Sequence, residues 1–322
     1  FDIGRIEGYK NFCNKLWNAA HFVLLNTGNF SLNNNDSFKY TVADNWIKSH
    51  LNEVTRNIHH HFKSYRFDLA AQCLHEFIWH EFCDWYLEFA KACLHCNECD
   101  ENIKNGTKET LVTTLESILR LLHPIMPFIT EEIWLELKSK LKLQEETIML
   151  RPYPSYQTSR LNKNAKNEIN WIKQFIIGVR QIRGEMNIPP GKILPVIVQK
   201  SNNEDELFIE KYLGLIKYIG RIESIRKLDY KEKEPISSMA MHGKMKLLVP
   251  LAELIDIDDE IKRLTKKIIS TTKEIDKSHL KLSNKNFISN APFEIVEQEK
   301  LRIQENETLI SELNIQIDKL RK

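Results

Sequence analysis

The stretch CLHCNECD, residues Cys93 to Asp100, places three of the chain's six cysteines at every third position. Thiolates at such spacing suit zinc or an iron–sulfur cluster. The set is incomplete. A fourth ligand would have to come from His95, Asp100 or Cys83, and a ferredoxin-type run needs a Cys where Ile103 stands, followed by Pro. At a helix end, residues three apart fan out by about 60° per step. The plain reading is therefore free thiols with no metal. The histidines carry little more: consecutive His59 to His61 point apart on a helix, and His75 and His80 of HEFIWH are five apart, not the four of a zincin. No GxxxxGK[ST] or GxGxxG loop is present, and ten glycines leave little room to build one. Nor is there a nucleophile-and-base pattern. The chain is expected to bind rather than to transform, with no cofactor of its own.

Three patterns suit a polyanion. Asn11, Lys15, Asn18 and Phe22 follow one another at helical spacing and form one stripe, in which amides and an ammonium can donate to bases or phosphates while Phe22 offers a stacking surface; the bland reading is a solvated face with Phe22 packed inside. Lys166, Lys173 and Arg180 recur every seven residues with Arg183 nearby, a cationic helix face equally consistent with an ordinary surface helix. Residues 261–281 hold seven Lys/Arg, among them Lys262, Arg263, Lys266 and Lys273, against two acids. Inter-arm salt bridging would explain that excess without RNA.

The formal net charge of +2 hides a split, since residues 151–250 carry 18 Lys/Arg against 10 Asp/Glu while residues 1–150 carry 15 against 20. A near-zero balance neither demands nor excludes a nucleic-acid partner. The thiols clustered along one helical pattern suggest a reducing compartment. No apolar run approaches the roughly 20 residues of a membrane span, and Phe1 is followed by no signal-peptide pattern. The expectation is a soluble, cytoplasmic chain without membrane contact that is a piece of something longer.

These groups are positioned by a mainly α architecture. Residues 1–150 read as four long helices forming a bundle. The first buries Phe12, Leu16, Trp17, Ala20, Val23 and Leu24, the second spans about 42–65, the third begins near Phe67 and is apolar on most of its surface, and the fourth starts near Thr107 and is broken by Pro124 and Pro127. Residues 151–250 read as a linker, a basic helix over about 164–186, and a small α+β subdomain with strands at ILPVIVQ and RIESIRKL and a hairpin at His242-Gly243. In residues 251–322, Leu254, Ile261, Ile268, Ile275 and Leu282 recur every seven positions, with Ile257 and Leu264 between them, and Val296, Ile303, Ile310 and Ile317 form a second such series. These predict two coiled-coil arms folded back as an antiparallel hairpin; a bent parallel dimer is the alternative.

Whole phrases then narrow the reading. FDIGRIEGYKNFCNKLWNAAHFV (1–23), YRFDLAAQCLHEFIWHEFCDWYLE (65–88), LLHPIMPFITEEIW (121–134), IMLRPYP (148–154), VRQIRGEMNIPPGK (179–192) and LLVPLAELIDIDDEIKRL (247–264) closely resemble the C-terminal part of the valyl-tRNA synthetases, in family order over essentially the whole chain. LLHPIMPFITEEIW alone is shared with the leucine and isoleucine enzymes. The resemblance implies an anticodon-binding bundle over 1–150 and a coiled-coil arm over 251–322 that lies against the tRNA elbow, with tRNA(Val) as partner. It places Lys15 and Phe22 at positions like the family's anticodon contacts, Asn11 and Asn18 joining them by their shared face. It also implies that the ATP, Mg2+ and valine sites of the parent ligase lie outside this chain, because the family's His-Ile-Gly-His and Lys-Met-Ser-Lys-Ser signatures are absent from it. CLHCNECD departs into a stretch variable in the family, and Pro189 stands where a Ser is usual. Two other readings stay open: a scaffold or oligomerisation module whose coiled coil pairs chains, and the equivalent region of an isoleucine enzyme.

Overall fold

A computed structural model describes residues 3–28, 30, 37–229, 232–250, 257–283 and 293–321; the side chains of residues 3–6, 257–260, 263, 293–295, 312, 316 and 319–321 lie outside the description. The described residues fall into two compact units, one within Phe1–Lys227 and Met239–Leu247, the other within Leu228–Ser238 and Leu248–Lys322.

The first unit opens with α1 (Ile3–Thr27) and α2 (Val42–Lys63). Thr41 caps α2: its hydroxyl accepts from the Asp44 N–H, and the Asp44 side chain reaches back to the Thr41 N–H. A long helical run follows, made of α3 (Phe67–Glu76), a π-helical segment (Phe77–Tyr86) and α4 (Leu87–Leu94). The Leu87 N–H bonds to the Phe82 carbonyl, five residues back. Next, α5 (Glu101–Leu122) begins six residues earlier than its periodicity suggests, because Asp100 caps it by accepting from the Asn102 N–H. It ends at the prolines, and Pro127 opens α6 (Pro127–Leu137), where its missing N–H costs nothing. Trp46, Phe77, Phe82, Tyr86, Phe89 and Trp134 are all but fully buried at the centre of this bundle, each contributing about 2–3 kcal/mol of burial.

The basic helix is α7 (Lys163–Glu185). Beyond it β1 (Leu194–Gln199), α8 (Asn203–Lys211), α9 (Leu213–Gly220) and β2 (Ile222–Lys227) form a parallel crossover, and β3 (Ser237–His242) and β4 (Met245–Pro250) turn on Gly243, whose φ of 58° favours glycine. The sheet order is β2-β1-β4-β3. The mainly α fold with a small α+β part follows the sequence reading.

In the second unit α10 (Ile257–Ser283) and α11 (Phe293–Arg321) run antiparallel: Leu264 clusters with Leu313 and Ile317, whereas Ser278 and Lys281 bond to Glu299. The series at Leu264 continues into buried Thr271 and Ser278, so the seam carries a polar layer that the apolar heptads do not announce. Leu254 and the Ile257 side chain lie outside the described residues.

Two consequences are measurable. A Cβ added at Gly106 would sit 2.1 Å from the Lys39 carbonyl oxygen, a backbone atom held nearby by the Lys39 N–H bond to the Asn102 carbonyl. Gly106→Ala is expected to cost about 3 kcal/mol in denaturant unfolding; an unchanged midpoint would contradict this packing. Secondly, Lys281 and then Ser278 hold the Glu299 carboxyl below its ordinary value. A carboxylate depressed on folding stabilises above its unfolded pKa and ceases to do so as pH falls through the folded one. Helical circular dichroism should therefore fall on acidification with a shallower acid limb in Glu299→Gln, and superimposable limbs would refute the role.

Candidate nucleic-acid interface

The stripe on α1 lies beside the π-helical segment. A π turn is wider than an α turn, and such segments recur at functional sites. Here the segment supplies side chains in three directions: Tyr86 and Phe82 into the bundle, Glu81 toward α7, and Trp79 with Asp84 toward α1.

Lys15 is gripped twice. Its ammonium donates to Asp84 Oδ1 at 2.5 Å and stands 4.0 Å from the centre of the Trp79 ring. Trp79 in turn stacks on His75 (5.6 Å, 17°) and lies near-parallel to Phe12 (6.5 Å, 16°), so a ladder of rings supports the cation from below. Asp84 Oδ2 faces His80 Nδ1 at 3.3 Å. Phe22 is half-buried with the Lys91 ammonium 5.2 Å from its ring, and Asn11 and Asn18 are exposed. Against the expected buried stripe of α1, Trp17 is 49% exposed. A cation aimed by a carboxylate, two free-facing amides and a partly exposed ring make a surface suited to unpaired bases. Spacing points to neither Trp79, Asp84 nor Lys91 and weighs His80 only as a zincin ligand; for Trp79 and Asp84 the signal is that FIWHEFCDWY holds more bulky residues than one buried stripe can use.

The cationic face expected on α7 does not form. Lys166 pairs with Glu53 at 2.8 Å and only Arg180 is exposed, its guanidinium 5.0 Å from the Trp85 ring centre. Lys173 is buried, bonded to Glu81 and placed over Trp46 (4.2 Å) and Trp85 (5.5 Å); burial lowers its pKa and Glu81 opposes that. Arg183 is likewise internal. Its guanidinium donates to the carbonyls of Pro189, Lys192, Gly220 and Arg221 at 2.7–3.3 Å and so staples the NIPPGK turn to the end of α9. Both expectations are corrected for one reason: a seven-residue recurrence marks a face but not which way it looks. On α10, Lys266 and Lys273 are exposed, Lys262 is exposed and already engaged in an interaction, and the Arg263 side chain lies outside the described residues.

At CLHCNECD, Cys93 lies in the last turn of α4 with its sulfur 3.3 Å from the Thr107 hydroxyl oxygen, while Cys96 and Cys99 lie in the following turn. Among the described residues, no group of three or more His, Cys, Asp or Glu is arranged to hold a metal ion.

A family model described as the anticodon-binding domain of tRNA ligase matches residues 44–198, and one described as the valyl tRNA synthetase tRNA binding arm matches residues 256–321. The chain belongs to the valyl-tRNA synthetase family. It is 43% identical over 301 residues to the valine–tRNA ligase of Legionella pneumophila (strain Lens), which takes in 93% of this chain and 33% of that protein. Similarity to the valine–tRNA ligases of Coxiella burnetii (40% over 316 residues, 98% and 34%) and Xylella fastidiosa strain M12 (42% over 329 residues, 97% and 33%) is of the same extent. The chain thus spans about a third of the length of these relatives.

Lys173→Ala strands Glu81 in its half-buried setting. It is expected to lower unfolding stability by about 3 kcal/mol, whereas an unaltered denaturation midpoint would return Lys173 to the surface.

Proposed function

We propose that this chain is the tRNA-binding C-terminal region of a valine–tRNA ligase, in which the surface formed by α1 and the π-helical segment reads the anticodon of tRNA(Val) and the α10–α11 arm grips the tRNA elbow. The observation that carries the reading is Lys15 held against Trp79 by Asp84, on the stripe with Asn11, Asn18 and Phe22. The ion pair and the ring fix an otherwise flexible ammonium, so less entropy is lost when it meets a base or phosphate. Phe22 supplies the stacking face. Exposed Lys266 and Lys273 on the arm, with Arg180, provide sequence-independent attraction.

In this proposal the work divides among residues 1–150, 151–250 and 251–322 as bundle, connecting α+β part and arm. The longer ligase attaches valine to tRNA with ATP at sites this chain does not carry. The intrachain pairing of Leu264 with Leu313 and Ile317 favours a monomer over a scaffold that pairs chains. No helix among the described residues is long and apolar enough to cross a membrane; a part in translation is what supports a cytoplasmic location in this proposal.

A titration with tRNA(Val) and with the same tRNA carrying a substituted anticodon tests the reading. Wild type is expected to prefer the native anticodon, and Lys15→Ala and Phe22→Ala to lose most of that preference while keeping the salt-dependent part of the affinity. Asp84→Asn, which frees Lys15, should lose preference in the same direction by about tenfold, or roughly 1.4 kcal/mol. Equal binding of both tRNAs by wild type would overturn the proposal.

A further inference from the structure

The tRNA-binding role leaves the thiols of CLHCNECD without a task. Cys96 and Cys99 bracket a turn whose central residues are Asn97 and Glu98. The outer Cα atoms of such a four-residue turn lie within about 7 Å, which overlaps the roughly 4.4–6.8 Å that a disulfide spans. The Cys99 thiol is hydrogen-bonded to the Cys96 sulfur, which also accepts from the backbone N–H groups of Glu98 and Cys99. These bonds hold Cys96 below its ordinary thiol value, whereas desolvation and the neighbouring Cys96 sulfur push Cys99 up to about 12. Cys93 also lies beside Cys99, but it is held in the last turn of α4, and burial pushes its thiol up. Cys96 and Cys99 are both partly exposed, so a small reagent has access.

We propose that Cys96 and Cys99 form a reversible dithiol–disulfide site for low-molecular-weight disulfides, with Cys96 the attacking sulfur and Cys99 the resolving one. The Cys96 thiolate attacks one sulfur of the reagent RSSR. A new S–S bond forms as the old one breaks, and the departing RS⁻ takes a proton from solvent. Cys99 then releases its proton to solvent, attacks the Cys96 sulfur of the mixed disulfide and expels the second RS⁻, which is protonated in turn. Two protein thiols are oxidised and one RSSR is reduced to two RSH. The bridge closes one residue before Asp100, the cap of α5 and the partner of Lys39.

The test incubates the full chain with glutathione disulfide, blocks remaining thiols by alkylation and maps the peptides by mass. The wild type is expected to lose the mass of two hydrogens, to show a Cys96–Cys99 bridge and to regain its mass with dithiothreitol. Cys99→Ser should stop at a glutathione adduct on Cys96, and Cys93→Ser should still form the bridge. A wild type that stays reduced, a bridge that runs through Cys93, or a Cys96→Ser variant that takes up glutathione as fast as wild type would each overturn the assignment.

Discussion

The buried carboxylate of Asp44 is the point on which the helical bundle turns. It accepts from the Thr41 N–H (2.9 Å) and hydroxyl (2.7 Å), from the Tyr86 hydroxyl (2.7 Å) and from the Thr107 hydroxyl (3.0 Å), joining the start of α2 to the π-helical segment and to α5. Burial raises its pKa, and the donors from Thr41, Tyr86 and Thr107 pull against that rise. A carboxylate in such a setting needs every one of its partners. Tyr86 thereby fixes the end of the π-helical segment, and the rotation of that segment decides where Trp79, Glu81 and Asp84 project.

That rotation divides the segment's charges between structure and surface. Glu81 faces inward and neutralises Lys173 between two indoles, so α7 is tied to the bundle by an ion pair and by cation–π contact. Asp84, three residues on, faces outward and does the same for Lys15, which remains partly exposed. The pair built on buried Lys173 holds the scaffold, while its more exposed counterpart presents a cation to whatever binds α1.

Much of the architecture was legible because helix and strand periods are strong local signals. The span of α2, the proline break before α6, the β-branched run of β1, the hairpin at Gly243 and the antiparallel α10–α11 pair all lie close to where their residues point. Less legible was direction. Lys173 and Arg183 read as surface cations, yet Glu81 and four backbone carbonyls that satisfy them come from 92 and up to 38 residues away. The π-helical register breaks the 3.6-residue period, so Trp79 and Asp84 could not be assigned to the face that meets Lys15. In the arm, Thr271, Ser278 and Glu299 occupy seam positions where an apolar pattern offers no forecast.

In the proposed reading, the surface formed by α1 and the π-helical segment receives the anticodon bases. Photo-crosslinking reads this directly, using tRNA(Val) with a photoreactive base at one anticodon position and mass mapping of the attached peptide. Attachment to the peptides bearing Phe22 and Trp79 is the predicted result. Attachment confined to α7 or to the α10–α11 arm would contradict the account.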